Sequence, residues 1–181
     1  RILHLINQMM DLRKIDKGQM VMHMSQTDMV AFIGDEYKLF CQQAVAKSIQ
    51  FTFEHEDEAL PVWIDRDNFD KVLMNVLSNA FKFTPAGGRI RITLSHSPHH
   101  VRIAIKDSGK GIQEDKLETI FQRFYQSTTS SNDRNVGTGI GLDLTRSLVE
   151  LHYGTITAAN NNTLDEADWK EGSQFLITLP L

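Results

Sequence analysis

The chain has 181 residues, of which 41% are hydrophobic and 23% charged, a composition typical of a globular domain and not of a disordered or fibrous chain. Its 19 basic and 23 acidic residues leave a net charge of −4, which argues against a general nucleic-acid-binding or polybasic membrane surface. The single cysteine excludes a disulfide framework. No apolar run approaches the roughly 20 residues of a membrane span and no signal-peptide pattern begins the sequence, so these features indicate a cytoplasmic domain.

The first 16 residues show the spacing of a helix that packs against a partner helix. Ile2, Leu5, Met9 and Leu12 follow one another at intervals of three, four and three, which is an a/d seam. The Gly18 that follows predicts the end of this helix. A helix that packs only on its own domain would show the same spacing. The abrupt beginning, inside a helical pattern and without methionine, favours a truncated bundle helix from a longer protein.

The chain up to about residue 88 alternates between strand and helix patterns. In order, the predicted elements are a strand at 20–24, a helix capped by Ser25 or Thr27 and ending near 47, strands at 49–53 and 62–64, and a helix capped by Asp65 and ending near 83. Pro85 and the glycine pair after it predict the end of the second helix, because both residue types interrupt helical structure.

The second half of the chain is richer in strands. Apolar residues alternate with polar ones at 90–94 and again at 101–105, which predicts a hairpin with one buried face. After it come a short helix at 114–119, a polar stretch at 126–135, a helix at 140–151, and strands at 154–159 and 174–179. This order predicts a two-layer α/β sandwich, in which helices cover one face of a mixed sheet.

Five of the 11 glycines lie in two short clusters, DSGKG at 107–111 and GTGIGL at 137–142. Glycine at this density suits backbone that takes positive φ or approaches a ligand closely, and such loops can cradle phosphate where a helix begins after them. Simple turns would explain either cluster alone. GTGIGL is not a P-loop, because GK[ST] is absent, and it lacks the preceding strand and the third glycine of a dinucleotide fingerprint.

The helix predicted before residue 83 carries a second cluster of polar residues. At helical spacing, Asn75, Asn79 and Lys82 fall together on the flank of its apolar face. An amide oxygen can bind Mg²⁺ and a lysine can contact phosphate. Each of the three, taken alone, is equally typical of a solvated residue at the margin of a core.

Taken together, these motifs are specific. NVLSNAFKFT, DSGKG, IFQRFY and GTGIGL, in this order, resemble the N, G1, F and G2 boxes of the GHKL or Bergerat-type ATP-binding fold, in the version found in bacterial sensor histidine kinases. The resemblance covers about residues 25–181. LINQMMDLRKIDKGQM before it resembles the second helix of a dimerisation bundle, so we divide the chain into a bundle helix at 1–18 and a catalytic ATP-binding domain at 19–181. The sequence around the N box is similar to that of hybrid sensor kinases, which carry receiver and DNA-binding modules.

The resemblance implies a role for each residue of the polar flank. Asn79 matches the asparagine that holds Mg²⁺, Asn75 helps at the same site, and Lys82 matches a phosphate-contacting base, so these three are the expected catalytic residues. Asp107 matches the aspartate that recognises the adenine amino group. A carboxylate accepts a hydrogen bond from N6–H and would find no donor on the carbonyl of guanine.

The resemblance implies further nucleotide-binding positions around these residues. They are Gly109, Gly111, Ile112, Phe121, Arg123, Gly137, Thr138, Gly139, Gly141 and Leu142. Of these, Arg123 either reaches the phosphates or forms a surface ion pair. The segment QSTTSSNDRNV resembles the ATP lid of the family, and we expect a triphosphate to order it, because its single apolar residue cannot anchor it in a core.

Position 75 bears on the choice between kinase and hydrolase. ATPases of this fold usually carry glutamate there, whose carboxylate can take a proton from attacking water, whereas the amide of Asn75 cannot. In sensor kinases the nucleophile is a histidine in an H box, followed by an acidic residue and a proline. His55-Glu56 is the nearest match, but its spacing to Pro61 is one residue too long, and His4 lacks the acidic neighbour. We therefore expect the phosphoacceptor to lie outside this chain.

The sequence thus predicts a protein histidine kinase domain that binds ATP and Mg²⁺ and transfers the γ-phosphoryl group to a histidine of its own dimerisation domain, for onward transfer to a response-regulator receiver domain. We expect a homodimer in the full protein, no nucleic acid contact by this domain, and a cytoplasmic position in an inner-membrane sensor. Two alternatives stay open. One is a scaffold that holds nucleotide without transfer, and the other is a self-contained ATPase of the chaperone, gyrase or mismatch-repair type.

Overall fold

The computed structural model describes residues 2–126, 137–164 and 169–181. The predicted ATP lid therefore lies, apart from Gln126, outside the described residues. The helices are α1 (Ile2–Asp16), α2 (Met29–Ala46), α3 (Arg66–Phe83) and α4 (Gly141–Leu151). The strands are β1 (Ser25–Asp28), β2 (Gln50–His55), β3 (Pro61–Ile64), β4 (Arg89–His96), β5 (His100–Asp107), β6 (Thr155–Asn160) and β7 (Ser173–Pro180). No described helix is long and apolar enough to cross a membrane.

Five strands form the main sheet, in the order β2-β4-β5-β7-β6. The β2–β4 pair is parallel and the other three pairs are antiparallel, so the sheet is mixed, as predicted. The expected hairpin is the β4–β5 pair, with Ile92 opposite Ile105. Strands β1 and β3 form a separate antiparallel pair.

The core lies between one face of the sheet and the helices. Ile90, Ile92 and Leu94 of β4 and Ile103 and Ile105 of β5 are at most 1% exposed, because the alternation of the strands turns them all to this face. They join one apolar cluster with the inward residues of α2, α3 and α4. The predicted two-layer α/β sandwich is therefore confirmed.

Three local predictions are wrong. No strand forms at 20–24, and β1 begins at Ser25, because only residues 25–28 lie opposite β3 and complete a ladder. The N-cap of α2 is Asp28, and neither Ser25 nor Thr27; its Oδ1 accepts hydrogen bonds from the backbone N–H groups of Val30 at 3.0 Å and Leu60 at 2.9 Å. The expected helix at 114–119 is two short 3₁₀ turns, at 114–116 and 119–121.

Helix α1 ends at Asp16, with Gly18 at φ +64°, as its sequence predicts. Only part of its predicted a/d seam is buried. Leu12 is buried and Leu5 packs on the core, whereas Ile2 and Met9 are 76% and 50% exposed. The helix therefore packs on this domain through only part of its apolar surface.

A buried carboxyl group on α2 gives the fold a pH-dependent stability. Glu36 is 6% exposed, and its Oε2 has no hydrogen-bond partner in the described part of the chain. Burial, together with the hydrogen-bonded carboxylate of Asp70, raises the pKa of Glu36 from 4.5 to about 8. Folded protein thus keeps a proton that the unfolded chain releases, and the free energy of unfolding should fall as the pH rises through this window.

Glu36→Gln should remove this dependence, because an amide of nearly the same shape can donate to Asp70 without titrating. We expect the variant to melt at least about 3 °C above the unmodified protein near pH 9, and the difference to shrink near pH 6. Thermal unfolding followed by circular dichroism measures this, with the exposed Glu58→Gln as matched control. Parallel pH profiles for Glu36→Gln and the unmodified protein would contradict it.

Candidate functional site

Helix α3 supplies the polar flank that the sequence predicts. Asp65 caps it, because its Oδ1 accepts a hydrogen bond from the backbone N–H of Asn68 at 3.1 Å. The apolar face of α3 is buried in the core, and the side chains of Asn75, Asn79 and Lys82 are half-buried beside it. One side of a single helix therefore carries two amides and an ammonium group on successive turns.

The side-chain amide of Asn75 is engaged with two other helices. Its Nδ2 donates to the backbone carbonyl of Gly141 and to the hydroxyl of Thr145, both at 3.2 Å, and these residues belong to α4. Its Oδ1 accepts a hydrogen bond from Nε2 of Gln8 on α1, at 3.3 Å. Asn75 thus joins α3 to α4 and α1, and its role at a metal stays a prediction.

Asn79 and Lys82 lie on the last two turns of α3. The side chain of Asn79 makes no hydrogen bond within the described part of the chain, so its amide is available to a ligand. The Lys82 ammonium lies 5.0 Å from the ring centroid of Phe83, and a Cβ built on Gly137 would lie 3.1 Å from it. Lys82 therefore lies against the first glycine of the GTGIGL loop.

Asp107 ends β5 in a buried position. Its side chain is 4% exposed, with Oδ1 accepting from the backbone N–H of Gly109 at 2.8 Å and Oδ2 from the hydroxyl of Ser173 at 2.9 Å. Burial raises the pKa of Asp107 above the usual aspartate value, although hydrogen bonds from the Gly109 backbone and from the hydroxyl and backbone of Ser173 oppose the increase. The hydrogen bonds fix the direction of this carboxylate acceptor at the end of the central strand of the sheet.

The DSGKG loop that follows passes close to the end of α3. A Cβ on Gly109 would lie 2.5 Å from the backbone carbonyl oxygen of Phe83, so only glycine fits there. The ammonium of Lys110 lies 5.4 Å from the ring centroid of Phe83, which Lys82 also approaches. Gly111 and Gly139 have φ values of +73° and +71°, in agreement with the reason given for the two glycine clusters.

The GTGIGL loop leads into α4. No side chain in the described part of the chain caps this helix, whose N-cap is Ile140, and Thr138 Oγ1 makes only a long 3.4 Å hydrogen bond with the Ile140 N–H. The side chain of Leu142 packs against the core. The N-terminus of α4 therefore presents backbone N–H groups and the positive end of a helix dipole to an anion.

Two residues of the IFQRFY motif, which the resemblance places at the nucleotide, make contacts within the protein. Phe121 is 4% exposed and packs edge-to-face on Phe175, with ring centroids 6.1 Å apart, so its side chain is part of the core. Arg123 forms ion pairs with Asp16 at 2.9 Å and with Asp143 at 2.7 Å, which raise the pKa of its guanidinium and lower that of Asp16. This is the surface ion pair of the two alternatives stated for Arg123.

Sequence analysis missed three residues that contact the predicted adenine-recognition loop. Ser173 donates to Asp107 Oδ2, and Asn160 and Asn161 donate to backbone carbonyls of Ile112 and Asp107. The sequence marks both places, because a glycine directly precedes Ser173 and a run of three asparagines begins at the last residue of β6. Neither indicates contact with a loop 48 to 66 residues earlier in the sequence.

Comparison with known proteins identifies the family. Residues 64–181 match the family described as "Histidine kinase-, DNA gyrase B-, and HSP90-like ATPase". The chain belongs to this family. The match covers the N-box helix and both glycine loops, on which the resemblance seen in the sequence depends, and that identification is confirmed.

Several curated relatives of this chain are histidine kinases by name. It is 33% identical over 183 residues to "Histidine kinase P4" of Formosa agariphila, a match that covers 99% of this chain and 13% of that protein. The chain spans only 12–18% of the length of three curated relatives that it matches along 99% of its own length.

Two solved structures share the fold. The nucleotide-free catalytic domain of histidine kinase ThkA superposes with a TM-score of 0.75 at 30% identity, covering 88% of this chain and 98% of that one. Histidine kinase ThkA in complex with response regulator protein TrrA gives a TM-score of 0.75 at 26% identity, covering 99% of this chain and 48% of that one. The predicted ATP-binding fold is therefore confirmed.

Proposed function

We propose that this chain is the catalytic domain of a sensor histidine kinase, which binds Mg-ATP and transfers its γ-phosphoryl group to a histidine of a dimerisation domain. One observation carries the proposal. The polar flank of α3 lies against the uncapped N-terminus of α4, with Lys82 beside Gly137 and Asn75 beside Gly141. An ammonium group beside the loop that leads into a helix N-terminus forms a site suited to a polyphosphate.

Other predicted residues add an adenine-binding part and a metal-binding part to this site. Asp107 lies at the near end of the DSGKG loop, where its buried carboxylate suits the amino group of adenine. On the same flank as Lys82, Asn79 offers an amide oxygen that makes no hydrogen bond to any described residue, and an amide oxygen is a ligand type that Mg²⁺ accepts. Mg²⁺, when bound, neutralises charge on the phosphates. Lys82 and the α4 N-terminus orient the triphosphate.

The amide at position 75 favours transfer over hydrolysis. Asn75 cannot accept a proton from water, and its three hydrogen bonds to α1 and α4 hold it in place. A bound triphosphate therefore has no adjacent carboxylate base at this position and is kept for another nucleophile. We propose a histidine of the dimerisation domain as this nucleophile, since none of the seven histidines of the chain has H-box spacing.

The remaining partners follow from the same proposal. Helix α1 would be the second helix of the dimerisation domain, in residues 1–18, and the full protein would be a homodimer. A response-regulator receiver domain would take the phosphoryl group onward, and the similarity to ThkA, solved with response regulator protein TrrA, supports this. We also propose that the domain lies on the cytoplasmic side of an inner-membrane sensor of hybrid type.

Incubation with γ-labelled ATP and Mg²⁺ tests the proposed transfer. We expect no stable label on this chain alone, and acid-labile label on an added dimerisation bundle that carries the H-box histidine and its partner helix. A bundle with that histidine changed to alanine is the matched control. Stable label on the chain alone, or ATP turnover without any phosphoprotein, would contradict the proposal, and the second result would favour a self-contained ATPase.

A further inference from the structure

Asn160, at the end of β6, holds the far end of the DSGKG loop. Its Oδ1 accepts a hydrogen bond from the backbone N–H of Ile112 at 2.8 Å, and its Nδ2 donates to the backbone carbonyl of Ile112 at 2.6 Å. Both bonds of one side-chain amide therefore go to one residue of the loop, as a strand partner would make them. A Cβ on Gly111 would lie 3.0 Å from Asn160 Oδ1, so the contact is close.

The next residue, Asn161, holds the near end of the loop. Its side chain is fully buried, and its Nδ2 donates to the backbone carbonyls of Asp107 and Glu171, both at 2.7 Å. Its backbone N–H donates to the carbonyl of Gly172 at 3.0 Å, and a Cβ on Gly172 would lie only 1.9 Å from the carbonyl oxygen of Asp107. Asn161 thus fastens the segment before β7 directly onto Asp107.

The buried amide of Asn161 also lowers the stability of the fold in one respect. In the described part of the chain its Oδ1 is buried and has no hydrogen-bond partner. A buried acceptor without a partner lowers stability, whereas the hydrogen bonds that Nδ2 donates satisfy two backbone carbonyl groups. The two donated bonds are what the amide contributes, and both fix backbone, one of them at Asp107.

We propose that Asn160 and Asn161 are positioning residues for base selection, which hold the loop at 107–112 in the one form that distinguishes adenine from guanine. The inference rests on the proposed ATP-binding function. A loop with glycines at 109 and 111 has many accessible conformations, and a carboxylate discriminates between donor and carbonyl only when its position is fixed. Fastening both ends removes this freedom before the nucleotide binds.

The test compares Asn160→Ala and Asn160→Asp with Asn162→Ala, an exposed asparagine two residues away. Isothermal titration gives the dissociation constants for Mg-ATP, Mg-GTP and Mg²⁺ with inorganic triphosphate. We expect Asn160→Ala to lower the preference for ATP over GTP by about tenfold, with triphosphate affinity unchanged within about twofold. Asn160→Asp, which keeps the acceptor for the Ile112 N–H, should fall between Asn160→Ala and the unmodified protein. Asn162→Ala should leave the preference unchanged.

Each contrary outcome points to a different failure. An unmodified protein that binds ATP and GTP equally overturns both the base-recognition role of Asp107 and this proposal. An unmodified protein that selects ATP, with an Asn160→Ala variant that selects equally well, overturns this proposal alone. A variant that loses melting temperature and triphosphate affinity together, at constant selectivity, shows a purely structural role and also overturns it. Asn161→Ala, measured in the same way, should repeat the loss of selectivity.

Discussion

Asn79→Ala is expected to weaken Mg-ATP binding by at least about a hundredfold, because even residues one shell away from a metal cost ten- to a hundredfold when changed. The fold should hardly change. Asn79 is half-buried on the flank of α3 and makes no hydrogen bond within the described part of the chain, so truncation should cost no more than about 0.5 kcal/mol. Titration calorimetry with Mg-ATP and thermal unfolding without nucleotide measure the two effects separately.

Ser78→Ala is the matched control for this change, since it truncates an exposed neighbour on the same helix. It should leave both ATP affinity and melting temperature unchanged. A large loss of melting temperature in Asn79→Ala would mean that Asn79 is structural. Unchanged ATP affinity would remove Asn79 from the site, and the proposed magnesium position with it.

Asp107→Asn is expected to abolish the preference for ATP over GTP. A buried acceptor that faces the carbonyl of guanine should cost about ten- to a hundredfold in affinity, and an amide can present either a donor or a carbonyl to the base. Two contacts survive the change, because Asn Oδ1 can still accept from the Gly109 N–H while Nδ2 donates to the Ser173 hydroxyl, whereas the backbone N–H of Ser173 loses the carboxylate as its acceptor. Dissociation constants for both nucleotides measure the effect, with the exposed Asp115→Asn as control.

The raised pKa of Asp107 gives this prediction a pH signature. Because burial raises the pKa, the carboxyl gains its proton at a higher pH than an ordinary aspartate does, and the protonated oxygen is a poorer acceptor for adenine. ATP affinity should therefore fall on acidification already above the usual aspartate range. The same profile for Asp107→Asn should lack this fall, and equal ATP and GTP affinities in the unmodified protein would contradict the role itself.

The architecture follows from patterns that act over short stretches of chain. The alternation at 90–94 and 101–105 predicts the β4–β5 hairpin, because side chains of a strand point to opposite faces in turn. Asp65 predicts the start of α3, because a side-chain oxygen there satisfies an N–H group that the helix leaves unpaired. Helical periodicity places Asn75, Asn79 and Lys82 on one flank for the same local reason.

Local patterns did not predict which segment pairs with β3 as a strand. The methionines that alternate at 20–24 resemble a strand, yet the strand forms at 25–28, where β3 supplies the partner. The partner of Arg123 could not be read from its motif either, because the motif permits a phosphate contact or an ion pair. Asp16, more than a hundred residues away in sequence, forms the pair in this structure. Both outcomes depend on what lies opposite in space, which no local pattern contains.

The sequence by itself determined the family, the two-layer fold and the residue types of the site, since motifs and periodicities of neighbouring residues predict each of these. Only the tertiary structure decided how the site is held. Asn160 on Ile112, Asn161 on Asp107 and Gln8 on Asn75 join residues separated by 48, 54 and 67 positions. A hydrogen bond across such a distance forms only after the sheet and helices have packed, because packing alone brings its two atoms within about 3 Å.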